Sequence, residues 1–284
     1  MSVKKIAVIG GDRRFFYLAE SLKGDGYSVT VFGNGGGETD IDKVLENTLA
    51  AVLPFPVSPD GVYLNAKDEN IRLSSLFEKI REHGVKRVFG GAVSDSVTCL
   101  AETYGICIYD YGKNETVALK NALCTVEGAL QIAFENLPVT LHSAHVSVLG
   151  YGRIGKLLSR ELSSLGAHIR GVARKSVDIA KMQIDGIKAY RFTELEDALR
   201  GVDLIFNTVP APVLDSKILT SLKEKPLVID LASAPGGVDR TAARELGINV
   251  IWALSLPGKT APKTAAEIIK EAVVSALSEI PLPD

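Results

Sequence analysis

One glycine pattern, read with its flanks, limits most sharply what this chain can fold into. Val146–Leu149 is a short apolar run, Gly150-Tyr-Gly152-Arg-Ile-Gly155 follows it directly, and Ile154–Ser164 has helical spacing. A strand that feeds a G-x-G-x-x-G turn and then a helix is a dinucleotide-binding arrangement built into a βαβ unit. Gly150 permits the tight turn, Gly152 lets the backbone approach a pyrophosphate, and Gly155 lets the helix pack close to the strand. The first helical turn, with Arg153 and Ile154, offers unbonded N–H groups and the positive end of the helix dipole. The alternative is a glycine-rich turn that binds nothing.

The same alternation of strand and helix runs through the rest of the sequence. Lys5–Gly10, Ser28–Phe32, Ala50–Leu53, Arg87–Phe89 and Ile106–Tyr109 read as strands. Helices are expected over Arg14–Lys23, Arg72–Glu82 and Ser96–Thr103, and a loop over Asn34-Gly35-Gly36-Gly37. A second series has strands at Val146–Leu149, Ile169–Ala173, Leu204–Asn207, Leu227–Leu231 and Asn249–Trp252, with a helix starting near Val177. Between the series, Asn114–Glu135 reads as one long helix that includes Gly128, and Ala261–Glu279 as another, ended by Pro281 and Pro283. The pattern predicts two doubly wound, Rossmann-like α/β domains with parallel sheets, joined by a long interdomain helix. The expected divisions are a flavodoxin/Rossmann-like substrate domain over 1–120, an NAD(P)-binding domain over 121–262, and a C-terminal helix over 263–284 packing back on the first domain.

The tip of the strand after the glycine loop bears on which dinucleotide is bound. An NAD site normally has Asp or Glu about 20 residues beyond the loop to accept the ribose hydroxyls. Here that strand ends Ala173-Arg174-Lys175-Ser176, without a carboxylate. These residues suit a 2′-phosphate, so NADP is the expected cofactor, with NAD the second choice. The plainer reading is a solvated basic turn.

Composition excludes several classes. The 32 Lys plus Arg against 34 Asp plus Glu leave a net charge of −2, which argues against nucleic-acid or membrane-surface binding through bulk charge. A 46% hydrophobic, 23% charged chain is not disordered. No apolar run is long enough for a membrane span, and Ile6–Ile9 is too short for a signal-peptide core, so a cytosolic location is expected. Cys99, Cys107 and Cys124 lack metal-ligand spacing and read as buried free thiols. His142 and His145 have no evident further ligands, so no metal is expected.

Further loops close the other strands. Thr208, Val209 and Pro210 either pass over the nicotinamide end of a cofactor or simply turn the chain. Asp230-Leu-Ala232-Ser233-Ala-Pro-Gly236-Gly237 is a small-residue loop that permits close backbone approach. Leu256–Thr264 is read as a loop carrying Lys259 and Lys263, a good carboxylate site. At the N-terminus, Gly10-Gly11-Asp12-Arg13-Arg14 opens a helix. Arg13 and Arg14 are either an exposed, inert pair, or Arg14 clamps a substrate carboxylate through both guanidinium nitrogens.

Together these motifs resemble the dipicolinate synthase A-subunit family, over essentially the whole chain. The resemblance is carried by Ile6-Ala-Val-Ile-Gly-Gly-Asp12 with Arg14, Ala122-Leu-Cys-Thr125-Val-Glu127-Gly128-Ala129, and Val148-Leu-Gly150-Tyr-Gly152-Arg153-Ile-Gly155. It continues through Ala173-Arg174, Asn207-Thr-Val-Pro210, Asp230-Leu-Ala-Ser233-Ala-Pro-Gly-Gly237 and Leu256-Pro-Gly258-Lys-Thr-Ala-Pro-Lys263-Thr264-Ala265. Cys124, Arg13 and Lys175 depart from the family pattern, and only Lys175 bears on cofactor choice. The resemblance implies oxidation of dihydrodipicolinate to dipicolinate, pyridine-2,6-dicarboxylate, during spore formation. It also implies a partner, the flavoprotein-like B subunit, and the mother-cell cytoplasm for location; a homo-oligomer is expected.

For such a substrate, Gly11, Asp12, Arg14, Lys259 and Lys263 are the candidates to meet two carboxylates. Thr125 and Glu127 are the weaker candidates for handling the ring proton, which can equally go to water. Two other readings remain: a 2-hydroxyacid or amino-acid-type dehydrogenase, and a non-catalytic NADP-binding partner protein. The first normally needs a catalytic His or Lys/His pair, and no His follows His168.

Overall fold

A computed structural model of the chain describes residues 4–34, 37–67 and 70–279. Gly35, Gly36, Pro281 and Pro283 lie outside the described residues. The chain divides into two compact units, one made of the residues up to Asn121 together with those from Pro257, the other of Ala122–Leu256.

The first unit holds β1 (Lys5–Ile9), α1 (Arg13–Gly24), β2 (Ser28–Phe32), α2 (Ile41–Leu45) and β3 (Ala50–Val52). It continues with α3 (Leu73–Glu82), β4 (Arg87–Gly90), α4 (Asp95–Thr103), β5 (Ile108–Asp110) and the start of α5 (Glu115–Asn136). Its five-stranded sheet has the order β2-β1-β3-β4-β5, with every pairing parallel. The runs Ile6–Ile9 and Ala50–Leu53 are buried throughout, as strands covered on both faces must be. Chain direction across the sheet reverses between β1 and β3, so a crevice opens at their carboxyl ends.

The second unit holds β6 (His145–Leu149), α6 (Arg153–Ser164), β7 (His168–Ala173), α7 (Ser176–Ile184), β8 (Lys188–Arg191) and α8 (Leu195–Leu199). It ends with β9 (Leu204–Asn207), α9 (Ser216–Ser221), β10 (Leu227–Asp230), α10 (Arg240–Glu245) and β11 (Val250–Trp252). Its six strands run β11-β10-β9-β6-β7-β8, again all parallel, with the switch between β6 and β9. Both sheets are therefore doubly wound and α/β. β8 has no counterpart among the expected strands, because Lys188-Ala-Tyr-Arg191 is a partly exposed edge with no apolar run.

A short helix, α11 (Leu256–Thr260), replaces the start of the loop expected at 256–264, and α12 (Pro262–Glu279) begins one residue after the helix expected from Ala261. Pro262 is tolerated there because the first helical residue needs no N–H. Within the first unit α12 packs on α1. Lys270 pairs with Asp25 at 3.0 Å and with Glu267 at 2.9 Å, and Ser21 Oγ donates to Glu267 Oε1 at 2.5 Å. A further ion pair joins Lys120 to Glu271.

The expectation of three buried thiols is corrected. Cys124 is buried, but Cys99 and Cys107 are exposed, on the outer face of α4 and in the turn before β5. Among the described residues, no helix is long and apolar enough to cross a membrane, and no group of His, Cys, Asp and Glu is placed to hold a metal.

Candidate functional site

In the second unit the glycine loop lies at the carboxyl end of β6, beside the switch point. Gly150 has φ +94°, and a Cβ there would strike Thr208 Oγ1. Thr208 ties the neighbouring loop to this turn, since its amide and its hydroxyl both donate to the Leu149 carbonyl, at 2.9 and 2.8 Å. Gly155 allows no side chain because a Cβ would run into the Gly150 carbonyl oxygen. Gly152 is different: it caps α6 without a side-chain hydrogen bond, and a Cβ placed on it meets nothing within 4 Å. Space therefore lies open beside Gly152, at the start of the helix, where a pyrophosphate would approach the backbone.

The loops after β9 and β10 are held by a buried pair that the sequence reading left without a role. Asn207 Nδ2 donates to Asp230 Oδ1 at 2.8 Å and to the Val209 carbonyl at 3.1 Å. Asn207 Oδ1 accepts the Val209 amide at 3.0 Å. Asp230 also accepts the amides of Ala232, at 3.1 Å, and Gly237, at 2.9 Å. Trp252 Nε1 donates to the Ala232 carbonyl at 2.9 Å, and the Arg240 guanidinium lies 4.1 Å over the indole ring. Val209 is half-buried, Ala232 buried, and Pro210 and Ser233 exposed. A polar residue at the end of each wholly apolar strand, Leu-Ile-Phe-Asn and Leu-Val-Ile-Asp, is the sequence signal for this pair.

At the tip of β7, Ala173 is buried while Arg174, Lys175 and Ser176 are exposed. Lys175 precedes α7 and leaves its first turn without a side-chain cap. In the same unit, Thr125 is half-buried and Glu127 exposed on α5. Burial, reinforced by the nearby Glu127 charge, pushes the Cys124 thiol up, so it is no thiolate nucleophile at neutral pH.

In the first unit Gly11, Asp12 and Arg14 gather at the β1/β3 switch point. Arg13 is exposed, but Arg14 is only 5% exposed, so the reading of an exposed pair is corrected for Arg14. Its Nε lies 2.8 Å from Asp12 Oδ1 and its Nη2 2.9 Å from Asp12 Oδ2. Nη2 also donates to the Phe55 carbonyl at 2.5 Å. The edge expected to grip a substrate carboxylate is therefore occupied by Asp12, which also caps α1 through the Arg14 amide at 3.0 Å. The Gly11 amide is committed as well, donating to the Asn65 carbonyl at 2.7 Å. Asn65 and Phe55 belong to the long segment after β3, which shows no periodicity that would have placed them here. A Cβ on Gly258 would lie 2.5 Å from Asp12 Oδ2 and 3.0 Å from Arg14 Nε, so this glycine lets α11 press against the pair. Lys259 and Lys263 follow it as exposed cations.

Comparison with known proteins follows this division of the chain. Residues 5–112 match the N-terminal domain of the dipicolinate synthase A-subunit, and residues 126–239 match the NAD binding domain of D-isomer specific 2-hydroxyacid dehydrogenases. The dipicolinate synthase A-subunit of Bacillus subtilis strain 168 is 30% identical over 97% of this chain and 96% of its own length. The chain belongs to the dipicolinate synthase A-subunit family. Two solved structures of this family superpose on it. That from Bacillus halodurans has a TM-score of 0.87 at 27% identity and covers 98% of both chains. That from Bacillus subtilis has a TM-score of 0.85 at 28% identity and covers 98% of this chain and 97% of that one. With the NAD-binding dehydrogenase domain in its second unit, this family member is an NAD(P)-dependent dehydrogenase.

Proposed function

We propose that the chain oxidises dihydrodipicolinate to dipicolinate, with NADP⁺ as the preferred acceptor and NAD⁺ as the second. The observation that carries this reading is the identity to the Bacillus subtilis dipicolinate synthase A-subunit across 97% of the chain, spanning both units. The oxidation removes two electrons and two hydrogens from the ring, one leaving as hydride and one as a proton, and the product gains aromaticity. When bound, the nicotinamide supplies the hydride acceptor.

The residues present fit such a cofactor. The open space before Gly152, with Arg153, Ile154 and Gly155, would hold the pyrophosphate; Gly150 shapes the turn. Ala173, Arg174, Lys175 and Ser176 would hold the adenosine ribose. Thr208, Val209 and Pro210, together with Ala232 and Ser233, would line the nicotinamide end; the Asn207–Asp230 pair fixes the course of both loops.

The substrate's two carboxylates need cationic partners. Lys259 and Lys263 offer exposed ammonium groups. Arg14, held by Asp12 and the Phe55 carbonyl, is the third candidate cation, with Gly11 and Asp12 beside it at the same switch point. Thr125 and Glu127 are the candidates for taking the ring proton. The flavoprotein-like B subunit, self-association and the mother-cell cytoplasm of a spore former complete the proposal.

The test is absorbance at the reduced-nicotinamide band, with purified chain, NADP⁺ or NAD⁺, and freshly generated dihydrodipicolinate, with and without the B subunit. Cofactor reduction matched by dipicolinate formation is expected, faster with NADP⁺. No reduction in any sample overturns the reading.

A further inference from the structure

We propose that Arg191, on the strand beside the glycine-loop unit's second strand, sets the preference for NADP over NAD. The inference rests on the nicotinamide reading above and deepens it. In this fold the ribose 2′ position is read at the tip of β7. Arg191 is the last residue of β8 and the direct neighbour of Ala173 across the parallel ladder. Its Nη2 donates to Ser176 Oγ at 3.1 Å.

That hydrogen bond has a chemical consequence. Ser176 Oγ accepts from the guanidinium, so its own O–H proton is free to point outward and donate to an anion. Ser176 also opens α7, whose first turn has no side-chain cap. Arg191, Arg174 and Lys175 therefore bring three cations and a hydroxyl donor to one strand tip. A ribose carrying only hydroxyls leaves those cations unpartnered, whereas a 2′-phosphate carries nearly two negative charges. A guanidinium fork meets phosphate oxygens with two parallel hydrogen bonds, which a lysine does not.

Neither acidic neighbour forms an ion pair with Arg191. Glu194 Oε2 is engaged by the Arg191 main-chain amide at 2.8 Å. Among the described residues no carboxylate lies within ion-pair distance of the Arg191 guanidinium. Asp178, in the first turn of α7, is the nearest acid in sequence to Ser176. Sequence spacing alone does not reveal Arg191, because it sits on a strand that has no apolar signature.

The experiment is equilibrium binding of NADPH and NADH to the full chain, read by nicotinamide fluorescence, for the wild type, R191A and R191K. Because no substrate is needed, the result stands apart from the identity of the acid oxidised. The wild type should favour NADPH. R191A should lower the NADPH-to-NADH affinity ratio by about tenfold with NADH affinity unchanged, and R191K should fall between. A wild type that binds both equally overturns the NADP reading and the inference with it. An NADPH preference that R191A leaves intact, or a loss of both nucleotides in equal measure, overturns the inference alone.

Discussion

Asn207 and Asp230 hold each other at 2.8 Å with side chains 0% and 2% exposed, at the ends of adjacent strands β9 and β10. The carboxylate takes one side-chain and two main-chain hydrogen bonds, and the carboxamide takes both polar atoms of Val209. Two successive loops on the β9 side of the glycine turn thereby share one polar clamp. Gly237 is required at its centre, since a Cβ there would collide with Asn207 Nδ2.

Removing the carboxylate should cost stability and binding together. Asp230→Ala strands the amides of Ala232 and Gly237 and the Asn207 carboxamide, with an expected loss of about 2–4 kcal/mol. Thermal unfolding and NADPH titration measure the two effects. An unchanged melting temperature with full affinity would show that water replaces the carboxylate without penalty.

The glycine loop offers a pair of substitutions with opposite signatures. Gly152→Ala adds a methyl into open space, so the fold should hold while nucleotide affinity falls by about tenfold or more. Gly155→Ala drives a methyl into the Gly150 carbonyl, so stability should fall first, by about 1–3 kcal/mol. Equal stability loss in both would mean that the space before α6 is not a phosphate cradle.

Gly258→Ala tests the substrate side. The added methyl would displace the Asp12–Arg14 pair, so turnover of dihydrodipicolinate should drop by about tenfold while the NADPH dissociation constant stays put. Arg14→Lys, which keeps the charge but loses the fork, should act in the same direction. Steady-state kinetics set against nucleotide titration separates the two sites; a parallel loss of nucleotide affinity would refute the division.

The contact between α12 and α1 should be sensitive to pH at both extremes. The hydrogen bond from Ser21 and then that from Lys270 hold the Glu267 carboxyl below its ordinary value of 4.5. A depressed folded pKa means that the unfolded chain binds the proton more readily, so this stabilisation is present above 4.5 and is lost as pH falls through the lower folded value. Lys270 runs the other way: Glu267 and then Asp25 raise it above 10.5, so its contribution is full below that value and is lost at still higher pH. The protection factors of the α12 amides, which correct exchange rates for their intrinsic slowing in acid, should fall at acid pH in the wild type. Glu267→Gln should flatten that acid dependence, and an identical profile in the variant would remove Glu267 from the account.

How much of this was legible in the sequence depended on burial. Strands at the centre of each sheet are covered on both faces, so Ile6–Ile9, Leu204–Asn207 and Leu227–Asp230 announce themselves as apolar runs. β8, half-exposed at a sheet edge, carries no such run. The short helix α11 looked like a loop because Pro257 and Gly258 are poor helix formers; a single turn against Asp12 and Arg14 is held by its packing.

By itself the sequence determined the two doubly wound sheets, the glycine loop with its three geometric roles, and the absence of a carboxylate at the Ala173–Ser176 tip. These are properties of local spacing, in which each residue's neighbours along the chain set its conformation. Only the tertiary structure decided that Arg14 is buried and paired with Asp12, that Gly11's amide is taken by Asn65, that Asn207 meets Asp230, and that Arg191 reaches Ser176. Most of these join groups on different strands or loops. Such pairings depend on sheet order and register, and sequence spacing does not encode which hydrogen-bond partner a side chain meets across a sheet.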